Sequence, residues 1–98
     1  MTMVKIQHKL YVPDSVASLI RSLHPQLKKK VRASLETILS DPAAGKELQE
    51  ELIGLRSFRV SRYRVIYRIS TGRRIEIVAI GPRERIYEET YRMMQKSG

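Results

Sequence analysis

Alternation dominates the start of the chain. Val4, Ile6, His8, Leu10 and Val12 fall on one side of an extended segment, and Lys5, Gln7, Lys9 and Tyr11 fall on the other. This predicts a half-buried strand over residues 3–12, with His8 as a structural residue on its apolar side. From Pro13 the period changes. Asp14 or Ser15 is placed to cap a helix in which Val16, Leu19, Ile20 and Leu23 recur at helical spacing. Pro25 suits the first turn of a second helix, with His24 as its cap or a surface residue. Leu27, Val31, Leu35, Ile38 and Leu39 form the apolar stripe of that helix until Asp41-Pro42 stops it. So little chain separates the two helices that an antiparallel hairpin is expected.

Residues 43–54 carry no clear period. Leu48, Leu52 and Leu55 hint at a helical turn, Gly45 and Gly54 interrupt it, and a surface segment with an apolar anchor is expected. Three strands follow, at about 55–61, 63–71 and 74–80, with Thr71-Gly72-Arg73 as the turn between the last two and Gly81-Pro82 ending the sheet. Residues 84–96 read as a terminal helix carrying Ile86, Tyr87, Thr90, Tyr91 and Met94. Helices segregated from a contiguous run of strands predict an α+β fold. Its expected form is an N-terminal strand, an antiparallel helical hairpin packed on one face of a mostly antiparallel four-stranded sheet, and a C-terminal helix. The opposite face of the sheet is expected to be open.

A turn centred on Ser61-Arg62 sets the register of the first two meander strands. Val60 faces Tyr63, Arg59 faces Arg64, Phe58 faces Val65 and Ser57 faces Ile66. Phe58, Val60, Tyr63, Val65, Tyr67 and Ile69 then share the core face, and Ser57, Arg59, Arg64, Ile66 and Arg68 share the other. Ser-Arg lacks the Asn-Gly or Asp-Gly chemistry that tight hairpin turns favour.

Composition narrows the class. A chain of 98 residues has room for one domain, residues 1–98. At this size folding buries roughly two thirds of the unfolded chain's surface. The absence of Cys excludes a disulfide scaffold, a Cys-ligated zinc site and a thiol nucleophile, and it suits a reducing compartment. Two His far apart in sequence argue against a His-built metal cage, so no metal or other cofactor is expected. No apolar run approaches the ~20 residues of a membrane span, and the N-terminus lacks a signal-like apolar stretch, so a cytoplasmic location is expected.

Charge changes the picture most. Nineteen Lys and Arg against ten Asp and Glu leave a net +9, which predicts attraction to nucleic acid, an anionic membrane or an acidic protein. Between Leu55 and Arg74 there are seven Arg (56, 59, 62, 64, 68, 73 and 74) and no acid, interleaved with Phe58, Tyr63 and Tyr67. The planar fork of Arg fits phosphate oxygens where Lys acts as a mobile point charge. Arg59 directly opposite Arg64 is repulsive unless an anion, or a carboxylate such as Glu76 or Glu88, lies between them. Arg83 falls just past the last strand near the same face. With Arg85 it opens the final helix, whose first amides favour anions. Lys28, Lys29, Lys30 and Arg32 form a second cluster with the pattern of a solvated helix face.

The stretch from Leu55 to Ile69, containing Arg-Val-Ser-Arg-Tyr-Arg-Val-Ile-Tyr, resembles the signature of the RelE/ParE superfamily, the toxins of type II toxin–antitoxin pairs. The later run Ile80-Gly81-Pro82-Arg83-Glu84-Arg85-Ile86-Tyr87 is similar to the family's strand that ends in a glycine, an Arg and then a Tyr. The opening strand, the helical hairpin and the Asp41-Pro42 stop also match, so the likeness spans nearly the whole chain. It implies a cognate acidic antitoxin as partner. It also implies one of two activities: RelE-like members cut mRNA in the ribosomal A site, whereas ParE-like members inhibit DNA gyrase and cut nothing.

On the RelE-like reading the resemblance implies a metal-free endoribonuclease in which the ribose 2′-hydroxyl attacks the neighbouring phosphate. Arg59, Arg64, Arg83 and Tyr87 are then the expected catalytic positions, with Arg64 and Arg83 holding the phosphate. Arg56, Arg62, Arg68, Arg85, Lys28 and Lys29 are the expected RNA contacts. The expected partners are the antitoxin, mRNA and the ribosome, with no membrane and no small-molecule cofactor. The chain departs from the family in carrying Pro82 where many members have His, and Arg56 and Arg59 where RelE offers Lys. Arg is a poor general base, which leaves Glu47, Glu50, Glu51 and Glu84 as the acids available. A gyrase-directed toxin and a plain RNA-binding module are the competing expectations.

Overall fold

The computed structural model describes residues 8–97. Among these described residues, three helices pack on a five-stranded sheet of order β1-β5-β4-β3-β2. The strands are β1 (Lys9–Tyr11), β2 (Lys46–Glu47), β3 (Arg56–Val60), β4 (Tyr63–Ser70) and β5 (Arg74–Pro82), and the helices are α1 (Asp14–Ser22), α2 (Pro25–Ser40) and α3 (Arg83–Ser97). Only β1 runs parallel to its neighbour, β5; the other pairs are antiparallel. The expected α+β class holds, with one strand more than the four expected. The fifth is β2, two residues paired to β3, too short for any alternation to show. The described part of the first strand is shorter than expected, and positions 3–7 of that reading lie outside the described residues.

The β3–β4 register is the expected one, Arg59 opposite Arg64 and Phe58 opposite Val65 included. The turn is closed by Ser61 in the left-handed region, φ 58°. That geometry costs a non-glycine residue about 1–2 kcal/mol, and it lets a sequence without a preferred turn pair make the hairpin. Between β4 and β5 the register slips by one: Ile66 faces Ala79 while Tyr67 faces Ile77, so Val78 is a bulge.

Alternation divides the apolar residues between two faces. On one, Val60, Val65, Tyr67, Ile75, Ile77 and Ile80 meet Val16 and Ile20 of α1 and Val31, Leu35 and Ile38 of α2. Complete burial of a Val or Ile side chain is worth about 1.5–3 kcal/mol, and Val31, Ile38, Val65 and Ile75 are all at 0% exposure. Ile69, expected among them, is 46% exposed. One helix detail also differs from expectation. Pro13 occupies the N-cap of α1 with no side-chain cap, so neither Asp14 nor Ser15 serves. His24 does cap α2, its Nδ1 accepting from the Gln26 amide at 3.2 Å.

The second face is not open. Leu55, Ile66, Ala79 and Ile86 form a buried cluster there, flanked by Leu48, Leu52, Val78 and Tyr87. Through Ile86 and Tyr87, α3 covers the middle of the face and leaves its ends accessible. The expectation of a bare face fails because α3 carries apolar residues at helical spacing and has no other surface on which to bury them.

Candidate functional site

At the end of that second face where α3 begins, a cleft of about 430 Å³ opens between the sheet and the segment preceding β3. Lys46, Glu47, Leu48, Gln49, Leu52, Ser57, Arg64, Arg83 and Tyr87 line it. Three elements converge here for local reasons. Arg64 follows the β3–β4 turn closely and shares the face of Ser57 and Ile66 by alternation. Arg83 is the first residue of α3 and Tyr87 the fifth, a spacing of four that sets both on one side of the helix. The Arg83 amide donates to the Arg62 carbonyl at 2.9 Å, tying the start of α3 to the β3–β4 turn.

The third wall is segment 42–49, and two side chains hold it. The buried Tyr67 hydroxyl donates to the Pro42 carbonyl at 2.6 Å and accepts from the Gly45 amide at 2.8 Å. Burial pushes this phenol above its ordinary pKa, an effect that the Gly45 amide and the Arg56 charge partly oppose. Arg56 donates to the Gly45 carbonyl at 2.7 Å and to Glu47 at 3.0 Å. Gly45 itself must be small, because a Cβ there would stand 2.5 Å from the Tyr67 hydroxyl oxygen.

Within the cleft the hydroxyls of Ser57 and Tyr87 share a hydrogen bond of 3.0 Å. The Nε of Arg64 is buried and has no hydrogen-bond partner among the described residues. Among the described residues the ion pairs are Arg56–Glu47, Arg68–Glu76, Arg74–Glu76 and Arg92–Glu88. The carboxylates expected as internal partners of Arg59 and Arg64, Glu76 and Glu88, are thus engaged elsewhere. An unpaired buried N–H costs about 1–3 kcal/mol. Arg64 and Arg83, unpaired with any carboxylate among the described residues and set at the positive end of the α3 dipole, make this end of the cleft attractive to an anion.

Three of the four expected catalytic positions, Arg64, Arg83 and Tyr87, therefore share one cleft. The fourth, Arg59, is exposed beside Arg64 and does not line it. Of the expected RNA contacts, Arg56 and Arg68 are held by Glu47 and Glu76. Arg62 is exposed in the β3–β4 turn, beside a separate hollow with His24 and Lys30. Arg85 is exposed two residues beyond Arg83, off the face that meets the cleft. Lys28 and Lys29 belong to α2, on the opposite side of the sheet. Among the four acids singled out from the sequence, only Glu47 reaches the cleft wall. Lys46 and Gln49 were not anticipated. They lie in a stretch with no periodicity; the pairing of β2 with β3 brings Lys46 here, and Gln49 follows two residues beyond that strand.

Comparison with known proteins follows the same line. The family model described as the ParE toxin of the type II toxin–antitoxin system parDE matches residues 14–87. No curated protein matches the chain in sequence. Among solved structures, a chain of the RelBE2 toxin–antitoxin complex from Mycobacterium tuberculosis superposes with a TM-score of 0.69 at 23% identity, covering 80% of this chain and 100% of that one. The archaeal RelE–RelB complex from Pyrococcus horikoshii gives 0.67 at 20% identity over 82% and 99% of the two chains. The isolated RelE toxin of E. coli gives 0.66 at 17% identity over 89% and 98%. At these identities the likeness to the solved structures is one of fold.

Proposed function

This chain belongs to the family of ParE toxins of type II toxin–antitoxin systems, and from that premise we propose that its cleft grips an RNA phosphodiester and cleaves it without a metal, as a RelE-like mRNA endoribonuclease acting on the ribosome. The observation that carries the reading is that Arg64 and Arg83 line one cleft and neither forms an ion pair among the described residues. Two guanidinium groups not engaged by a carboxylate among the described residues match the non-bridging oxygens of a phosphate.

In the proposed reaction the ribose O2′ attacks phosphorus, the P–O5′ bond breaks and a 2′,3′-cyclic phosphate forms. The O2′ proton passes to water in the cleft, because the Glu47 carboxylate turns to the other face with Arg56, and the departing O5′ takes a proton from the Tyr87–Ser57 hydroxyl pair. Arg64 and Arg83 stabilise the negative charge that builds on the pentacovalent phosphorus. Most of the acceleration then comes from holding the groups in line and from fixed charge. The partner on the cellular side is the cognate antitoxin, and a net charge of +9 favours an acidic one.

One observation favours a second reading, a toxin that binds DNA gyrase and cuts nothing. The cleft has no imidazole, and its one carboxylate, Glu47, already accepts from Arg56. Induction of the toxin with primer extension on cellular mRNA separates the two. The nuclease reading expects new 5′ ends within codons and their loss in Arg64→Ala, with that variant still folded by circular dichroism. Growth arrest without new ends, together with inhibited supercoiling that persists in Arg64→Ala, would overturn it.

A further inference from the structure

Lys46 stands directly opposite Ser57 in the β2–β3 pair. Directly opposed residues of an antiparallel pair project from the same face of the sheet. The face in question is that of the cleft, because the Ser57 hydroxyl bonds Tyr87 there. Lys46 also lines the cleft with Arg64 and Arg83, and among the described residues it makes no ion pair.

A lysine on a two-residue edge strand would ordinarily be a mobile surface charge. Here the backbone around it is fixed on both sides. Tyr67 and Arg56 hold the flanking Gly45 through its amide and its carbonyl, and Arg56 holds the Glu47 side chain that follows. The Leu48 amide donates to the Leu55 carbonyl at 3.0 Å and closes the segment against β3. Lys46 is thus delivered to the cleft by a braced backbone, while its four-carbon stem leaves the ammonium free to follow a ligand.

We propose that Lys46 is the third phosphate-binding cation of this cleft. Arg64 and Arg83 hold the phosphate on the α3 side, and Lys46 grips the same nucleic-acid strand from the β2 side. The inference rests on the cleft being a polynucleotide site, as proposed above, and it adds a residue from a segment in which the sequence shows no motif. The chemistry recognised is the phosphodiester backbone of a single strand, independent of base.

The test measures binding of a 2′-O-methyl RNA oligonucleotide, which cannot be cleaved, to wild type and to Lys46→Gln, Lys46→Arg and Arg21→Gln over a range of salt. Lys46→Gln and Arg21→Gln each remove one positive charge, but Arg21 is exposed on α1 across the sheet. Loss of one charge-assisted contact is expected to weaken binding on the order of tenfold in Lys46→Gln. The slope of log K against log salt should fall by about 0.7, the increment for one phosphate on a single strand. Lys46→Arg should keep most of the affinity, and Arg21→Gln should resemble wild type. Equal affinity and slope in wild type and Lys46→Gln would overturn the proposal, as would an equal loss in Arg21→Gln or no binding by wild type. A wild type that binds with the expected slope and loses it in Lys46→Gln, yet leaves mRNA intact in cell-free translation, would sustain the Lys46 assignment and overturn only the nuclease reading.

Discussion

Arg64 stands directly opposite Gly81 across the β4–β5 pair. With no side chain at Gly81, Ile86 of α3 packs onto that point of the sheet; a Cβ there would lie 2.9 Å from Ile86 Cδ1. The first turn of α3, with Arg83 and Tyr87, is consequently lowered onto the strand that carries Arg64.

Gly81→Ala should therefore be tolerated with a modest loss, because the end of the Ile86 side chain can rotate away. Gly81→Val should lift α3 from the sheet at a cost of about 1–3 kcal/mol, the range for overpacked cores. Urea unfolding would give the stability difference. Toxicity should fall more steeply than stability, since Arg83 moves with the helix.

Tyr67→Phe removes the acceptor of a buried backbone amide, that of Gly45, and the donor to the Pro42 carbonyl. A stability loss of about 1–3 kcal/mol is expected, the penalty for leaving such a group unpaired. Segment 42–47 should also loosen, seen as faster hydrogen exchange at the Gly45 amide. Unchanged exchange there would show that Tyr67 does not hold the segment.

Glu76 lies between Arg68 and Arg74, and the hydrogen bond from Arg68 holds its carboxyl below the usual carboxylate range, against the opposing effect of burial. A folded-state pKa below the unfolded one means that the unfolded chain binds more protons in between. The contribution is therefore fully present above the unfolded value of about 4.3 and is lost as pH falls through the folded value. The difference in melting temperature between wild type and Glu76→Gln should be constant near neutrality and shrink in the acid range. A difference that grew on acidification would contradict the sign.

The Ser57–Tyr87 hydroxyl pair gives the last contrast. Both residues sit at the cleft, so Tyr87→Phe should reduce mRNA cleavage while altering stability by only about 1 kcal/mol, the net worth of one hydrogen bond. Ser57→Ala should leave Tyr87 in place and have the smaller effect on cleavage. Equal cleavage by wild type and Tyr87→Phe would remove the phenol from the proposed proton path.

Much of the fold was legible in the chain because it rests on local periodicity. The hairpin stripe through Val31, Leu35 and Ile38, the alternation through Phe58 and Val65, and the pairing of Arg59 with Arg64 all follow from spacing. Segment 42–49 was not legible. Its geometry comes from Tyr67 and Arg56, far along the chain, and nothing in its own residues announces that Lys46 and Glu47 will stand at a cleft. The separation of Arg64 and Arg83 from Arg56 and Arg68 was likewise hidden, since all four are the same residue type and three of them share one basic stretch. Which of them meets a carboxylate depends on strand order and on the bulge at Val78.

By itself the sequence determined the α+β order, the hairpin core, the register of β3 with β4 and the excess of positive charge, because each depends on near neighbours or on composition. Only the tertiary structure decided where α3 lies on the sheet, which arginines are left without a carboxylate and which lysine joins them. Those outcomes depend on contacts between residues distant in sequence, and such contacts form only when the apolar faces of α3 and the sheet close on each other.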